Sequence, residues 1–207
     1  MGDAAFQLVQ VAYWLSLSTW FGAVLFIAVA APTIFKTVTD HKPILPTVLS
    51  VNLDNQHATL LAGSIVGDLI ERLSRVQLAC AVALGLTLLA QGFMIDLTAG
   101  GDALRSNRGA FAVRVLLFMA AAATLAYDRR AVWPRVVAHR ARFIEHADDP
   151  EIANPAKEAF DHDGRRTLNL LMAVIALLLG VIVFSGNITR KSGGTGAFEA
   201  VTAPAAE

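Results

Sequence analysis

Four apolar runs, at positions 6–31, 76–97, 110–127 and 167–186, are nearly free of charge, and they constrain this chain more than any motif in it. A bilayer core is crossed by roughly 20 helical residues, within a range of about 17–25. All four runs fall in or beside that range. The expected fold is therefore an all-α integral membrane protein, an antiparallel four-helix transmembrane bundle with amphipathic loop helices. Only 16% of the 207 residues are charged and 55% are hydrophobic, whereas a soluble domain carries about a quarter charged. The leader "MGDAA" has no Lys or Arg, and the first run is longer than a signal-peptide core, so it reads as a span.

The connecting segments set a topology. Loops 32–75 and 128–166 share one side and hold twelve of the seventeen Lys and Arg. Positive residues favour the cytoplasmic side, so both termini are expected outside the cytoplasm and the two long loops within it, in a cytoplasmic (inner) membrane. The stretch "HKPILPTVLSVNLDNQH" carries two prolines and no helical period and reads as irregular chain. From Ala58, Leu61, Ile65, Leu69 and Leu73 recur every fourth residue, which predicts an amphipathic helix at the interface or feeding span two. The third loop reads as two helices, about Pro134–Ala147 and Pro155–Arg166, each with Pro in its first turn. Residues 1–190 form one membrane domain, and 191–207, rich in Gly, Ala, Ser and Thr, read as a disordered tail.

Lipid is as apolar as leucine, so helices associate through close backbone approach and a few polar contacts. Small and polar residues at spacings of three and four mark candidate contact faces. In span one these are Ser16, Thr19, Ala23 and Ala30; in span two Gln77, Ala81, Gly85, Gln91 and Gly92; in span four Asn169, Ala173, Ala176 and Gly180. Arg114 lies about one turn inside span three, and its stem is expected to snorkel to the headgroups. Pro32 sits where span one is expected to end, since its ring breaks the helical ladder. Gly22 reads as a point of close approach, Trp20 as the filler beside it, and Phe35 as an interfacial anchor.

Three stretches carry a resemblance. "WFGAVLFIAVAAPTIF" supplies Trp20, Gly22, Phe26, Pro32 and Phe35; "AGSIVGDLIERL" supplies Gly63, Gly67 and Arg72; "FDHDGRRTLNLL" supplies His162 and, seven residues on, Asn169. In that order the chain resembles the bacterial branch of the transmembrane-protein-205-like family, four-span domains of unknown function, from about residue 8 to 184. The resemblance implies a membrane bundle and no established reaction. The third stretch departs from the family pattern: Phe160 stands two residues before His162 rather than four, and Arg165 takes the place of a Ser.

The chemistry the sequence can support is narrow. His41, His57, His139, His146 and His162 all fall in loops or at membrane edges, where none can serve as an axial haem ligand inside a bundle. Met94, Met119 and Met172 are isolated and read as packing residues rather than copper ligands. The acidic stretches "EHADD" and "DHD" read as solvated faces. No phosphate loop, nucleophile elbow or dinucleotide fingerprint is present. One cysteine, Cys80, excludes an intrachain disulfide, and a net charge of zero without a basic aromatic face argues against nucleic acid. The reading is a non-enzymatic membrane protein without cofactor or metal. Its expected contacts are the lipid bilayer and a membrane-protein partner or second copy. A small-solute or metal permease and an accessory subunit of a larger complex are its rivals. Asn169 is expected to point inward and meet Gln77, pinning the loops to the bundle together with His162.

Overall fold

The computed structural model describes residues 2–41, 57–98, 103–146 and 149–189. They form α1 (Gly2–His41), α2 (His57–Thr98), α3 (Ala103–Tyr127), a turn of π-helix (Asp128–Val132), α4 (Trp133–Glu145) and α5 (Pro150–Thr189). Four helical stretches are long and apolar enough to cross a membrane, which makes this a multi-pass helical bundle. The irregular first loop and the disordered tail expected from the sequence lie outside the described residues.

The inward face of each helix follows one rule. In α1 the buried residues are Tyr13, Leu17, Trp20, Val24, Ile27 and Ala31. In α3 and the π-turn they are Arg114, Phe118, Ala121, Leu125, Asp128 and Val132. Spacings of four and three alternate without a break. α2 continues the pattern through Gln77, Ala81, Leu84, Leu88 and Gln91, and α5 through Val174, Leu178, Val181 and Ser185. A period near 3.5 keeps a stripe facing its neighbour along a whole helix, as in left-handed coiled coils. The central layer is therefore made of large side chains: Leu17, Trp20, Leu84 and Leu178 are fully enclosed, and the Trp20 and Phe118 rings meet edge to face at 6.2 Å. A second apolar cluster, Ile27, Ala31, Val66 and Ile70 with Phe35 and Trp133, continues the core toward the long loops.

α1 packs along α2, α3 along α5, and α1 and α5 join the two pairs. α2 and α3 make few close backbone approaches and are bridged by long side chains. The Phe118 ring reaches to 3.3 Å of where a Gly85 Cβ would stand, and the Phe111 ring to 3.5 Å at Gly92. Gly180 admits Leu117 from α3, with a Cβ-to-Cδ1 distance of 3.0 Å.

Several expectations are corrected here. Pro32 does not end span one: α1 runs through it to His41. Proline removes one intrahelical donor, a loss the 40-residue helix tolerates without breaking. Gly22 has nothing within 4 Å of a Cβ position and is no point of close approach. The small-residue face of span four points largely outward, since Asn169, Ala173 and Ala176 are exposed. Large residues occupy the centre, so small ones were displaced to the flanks. The amphipathic segment after Ala58 does feed span two, as part of unbroken α2. The helix expected to start at Pro155 starts instead at Pro150 and runs into span four. Asp149 caps it, its Oδ1 accepting from Glu151 N at 3.1 Å and its carbonyl from Ala153 N at 2.9 Å.

Candidate functional site

Apart from the Trp20 indole N–H, the buried polar side chains of the described residues gather toward the two ends of the bundle. At the end bearing the chain termini, all four long helices contribute. Gln91 Nε2 donates to Gln10 Oε1 at 3.1 Å, and Gln91 Oε1 accepts from Arg114 Nη2. The Arg114 guanidinium lies over the rings of Tyr13 and Phe111, 4.9 and 5.0 Å from their centroids. The Ser185 hydroxyl donates to the Val181 carbonyl at 2.6 Å, which leaves Tyr13 as donor in the Tyr13–Ser185 pair. Arg114 is only 4% exposed, so the snorkelling expected from the sequence is corrected. Its place on the stripe of Phe118, Ala121 and Leu125 aims it into the bundle, where an amide and two aromatic faces hold it. None of the ion pairs among the described residues involves Arg114. Cation–π contacts of this kind contribute about 0.5–2 kcal/mol each.

At the loop end, Gln77, Asp128 and Thr167 are 1%, 6% and 8% exposed and line one cavity of about 20 Å³ with Arg129 and Thr124. Arg129 Nε stands 3.8 Å from Asp128 Oδ2, and its guanidinium lies 5.2 Å from the Trp133 ring centroid. The Thr167 hydroxyl lies beside the Asp128 carboxyl without meeting hydrogen-bond geometry. Asp128 and Arg129 sit on the π-turn. A π-bulge is a local deformation of the helical ladder that recurs at functional sites. Fourteen residues, about 21 Å of helix at 1.5 Å each, separate Gln77 from Gln91 along α2. The layer between them is apolar but for the Trp20 Nε1–H, which is buried without a hydrogen-bond partner among the described residues.

The sequence-derived candidates divide accordingly. Gln77, Gln91 and Arg114 are brought into the buried clusters, and Trp20 into the core between them. Phe35 packs in the second apolar cluster, while Phe26 is 55% exposed on the outer face. A Cβ at Gly63 would stand 3.8 Å from the Phe160 ring of α5 and one at Gly67 3.5 Å from the Arg140 guanidinium of α4, so that stretch seats the loop helices. Arg72 is exposed. His162 is 68% exposed beside Asp163, which also receives His139 of α4 at 3.6 Å; His162 does not reach across to Glu71 or Arg72.

Asn169 is exposed and does not meet Gln77. The residue of α5 at that cavity is Thr167. Two residues turn a helix by about 200°, so Thr167 and Asn169 cannot both face inward. Asn169→Leu is therefore expected to change stability by no more than about 0.5 kcal/mol, and to add to Gln77→Leu without coupling. Thermal unfolding of the two single variants and the double variant in detergent measures this; a coupling above about 1 kcal/mol would place the amides together after all. Tyr13, Asp128, Arg129, Thr167 and Ser185 escaped the sequence reading. The 3.5-residue stripe through Arg114 and Phe118 leads directly to Asp128, and the stripe through Val174 and Leu178 leads to Ser185.

Among known proteins, the profile of one family, described as Domain of unknown function (DUF4149), matches residues 15–142. No curated protein and no solved structure matches the chain.

Proposed function

The chain belongs to the family described as Domain of unknown function (DUF4149), and on that premise we propose a non-enzymatic integral membrane protein that works by binding within a sealed helical bundle. It is similar to the transmembrane-protein-205-like family and sits in a bacterial inner membrane with both termini outside the cytoplasm. The observation that carries the reading is the apolar layer. Trp20, Leu84, Phe118 and Leu178 fill the bundle between its two polar ends, which favours a sealed bundle over a hydrated path. At the end holding Arg114, the polar groups are also engaged in structure rather than poised for reaction. Ser185 gives its proton to a backbone carbonyl, and Arg114 is held by Gln91 and two rings. Nucleophilic chemistry needs the hydroxyl proton directed at a base.

The outward faces, carrying Leu8, Leu15, Leu86, Phe93 and Leu116, contact the lipid bilayer. A membrane-protein partner or a second copy of the chain would dock on the same surfaces. A permease is the second reading, favoured by buried polar groups at both ends, because an apolar constriction between wetted ends can act as a gate. Two measurements test the proposal. Reporter fusions after Ser192 are expected to be active outside the cytoplasm and fusions after Asp149 inside; the reverse overturns the orientation. Proteoliposomes are expected to pass small monovalent ions no faster than protein-free vesicles; a protein-dependent flux replaces the sealed bundle with the permease.

A further inference from the structure

The loop-end cavity holds a debt of unmade hydrogen bonds. Gln77 Nε2, Asp128 Oδ1, Thr167 Oγ1 and Arg129 Nε are buried without a hydrogen-bond partner among the described residues, and their residues, from α2, the π-turn and α5, line the same cavity; Arg129 Nε is already turned to Asp128 Oδ2 at 3.8 Å, which leaves the other three facing one another. An orphaned buried polar group loses its hydration without recompense, so three facing one another point to a shared guest.

The donor pattern identifies its class. An amide nitrogen only donates, a carboxylate only accepts, and a hydroxyl does either. A bare cation would satisfy Asp128 and leave Gln77 unpaired; a bare anion would do the reverse. The guest must donate and accept at once. The room, about 20 Å³, exceeds the roughly 10–15 Å³ that one water requires, and three polar partners are what a buried water typically has.

We propose that this cavity is an internal hydration site. One water accepts from Gln77 Nε2, donates to Asp128 Oδ1 and completes its bonding with Thr167 Oγ1. It supplies the hydrogen-bond geometry that the neighbouring Thr167 hydroxyl and Asp128 carboxyl do not reach directly, and it ties α2 and α5 to the π-turn. Arg129, 3.8 Å from the other carboxylate oxygen and with 23% of its side chain exposed, forms the rim toward the loop-end solvent. Asp128 thereby gains a hydrogen-bonded link outward on this side, while the Trp20 layer closes the other. The inference stands independently of the orientation proposed above, because it names an end of the bundle rather than a compartment.

Radiolytic hydroxyl labelling of the wild-type protein in detergent tests it, since radicals formed from a bound water mark the side chains around it. Leu125 and Val174 line the cavity and are 8% and 3% exposed; Leu88 and Val181, at 4% and 0%, are comparably buried in the dry part of the bundle. Leu125 and Val174 are expected to be oxidised several-fold faster than Leu88 and Val181, and Thr167→Val to reduce that excess. Equal rates in the wild-type protein overturn the proposal, whatever the variant does. Thermal unfolding in sodium chloride against choline chloride at equal ionic strength is the second measurement. Equal midpoints are expected; a sodium-specific rise overturns the proposal by making the guest a cation.

Discussion

Trp20→Ala is expected to destabilise the bundle by about 3–5 kcal/mol, the range for removing a fully buried large aromatic side chain. Trp20 is wholly enclosed and stands edge to face on Phe118, in the layer where α1, α2, α3 and α5 meet. In a membrane the loss comes from packing rather than from expelled water. Lipid competes for apolar surface, but it cannot fill an interior cavity with the same number of close contacts. Phe26→Ala is the control. Phe26 belongs to the same stretch of sequence yet is 55% exposed, and its removal should cost less than about 0.5 kcal/mol. Denaturant titration in mixed micelles, read by helix content, gives both values. A Trp20 variant as stable as the Phe26 variant would mean that the central layer is not closely packed.

The second large effect concerns Arg114, and its direction is diagnostic. Arg114→Lys should cost about 3 kcal/mol, because it keeps a buried charge while discarding the planar fork that bonds Gln91 and stacks on Tyr13 and Phe111. Arg114→Met should cost less. It keeps much of the volume, removes the charge, and leaves chiefly one amide oxygen without its donor, a loss of about 1–3 kcal/mol. The order Lys worse than Met marks a guanidinium held by shape and rings. The opposite order would mean that the positive charge itself is required, and an anionic partner would have to be sought. Stability of the two variants in the same micelles decides between them.

The bundle was legible in the sequence because hydrocarbon thickness fixes how long an uncharged run must be, and four such runs stand out. Which face of each helix turns inward was less legible. Small-residue stripes located the inner face of α2, where Gln77, Ala81 and Gln91 are buried, because there the polar and small residues coincide with the 3.5-residue repeat. In α5 they did not coincide. Asn169 and Ala173 suggested one face, while Thr167, Val174 and Leu178 occupy the other, and the large side chains prevailed since the centre of four helices is a wide space to fill. The amphipathic start of α2 was displaced in the same way: Ala62, Val66 and Ile70 are buried, whereas Ile65 is 42% exposed. Asp128 was invisible for a different reason. A charged residue next to Arg129 and Arg130 at the end of an apolar run reads as ordinary membrane-edge chemistry, and only the packing of α5 against the π-turn encloses it.

The helices also outlast the membrane. α2 has 42 residues and α1 and α5 have 40 each, about 60 Å of rod at 1.5 Å per residue, against a hydrocarbon core of about 30 Å. α2 and α5 therefore carry their loop-end halves as rigid extensions of the membrane-embedded ones, and α3 passes through the π-turn into α4 without leaving helix. Mechanically each is a lever with its fulcrum in the bilayer. A tilt of about 5° swings the end of a 30 Å arm by roughly 2.6 Å, about half a helical turn of travel. A tilt of any one helix within the bilayer is thus carried undiminished to its loop-end tip.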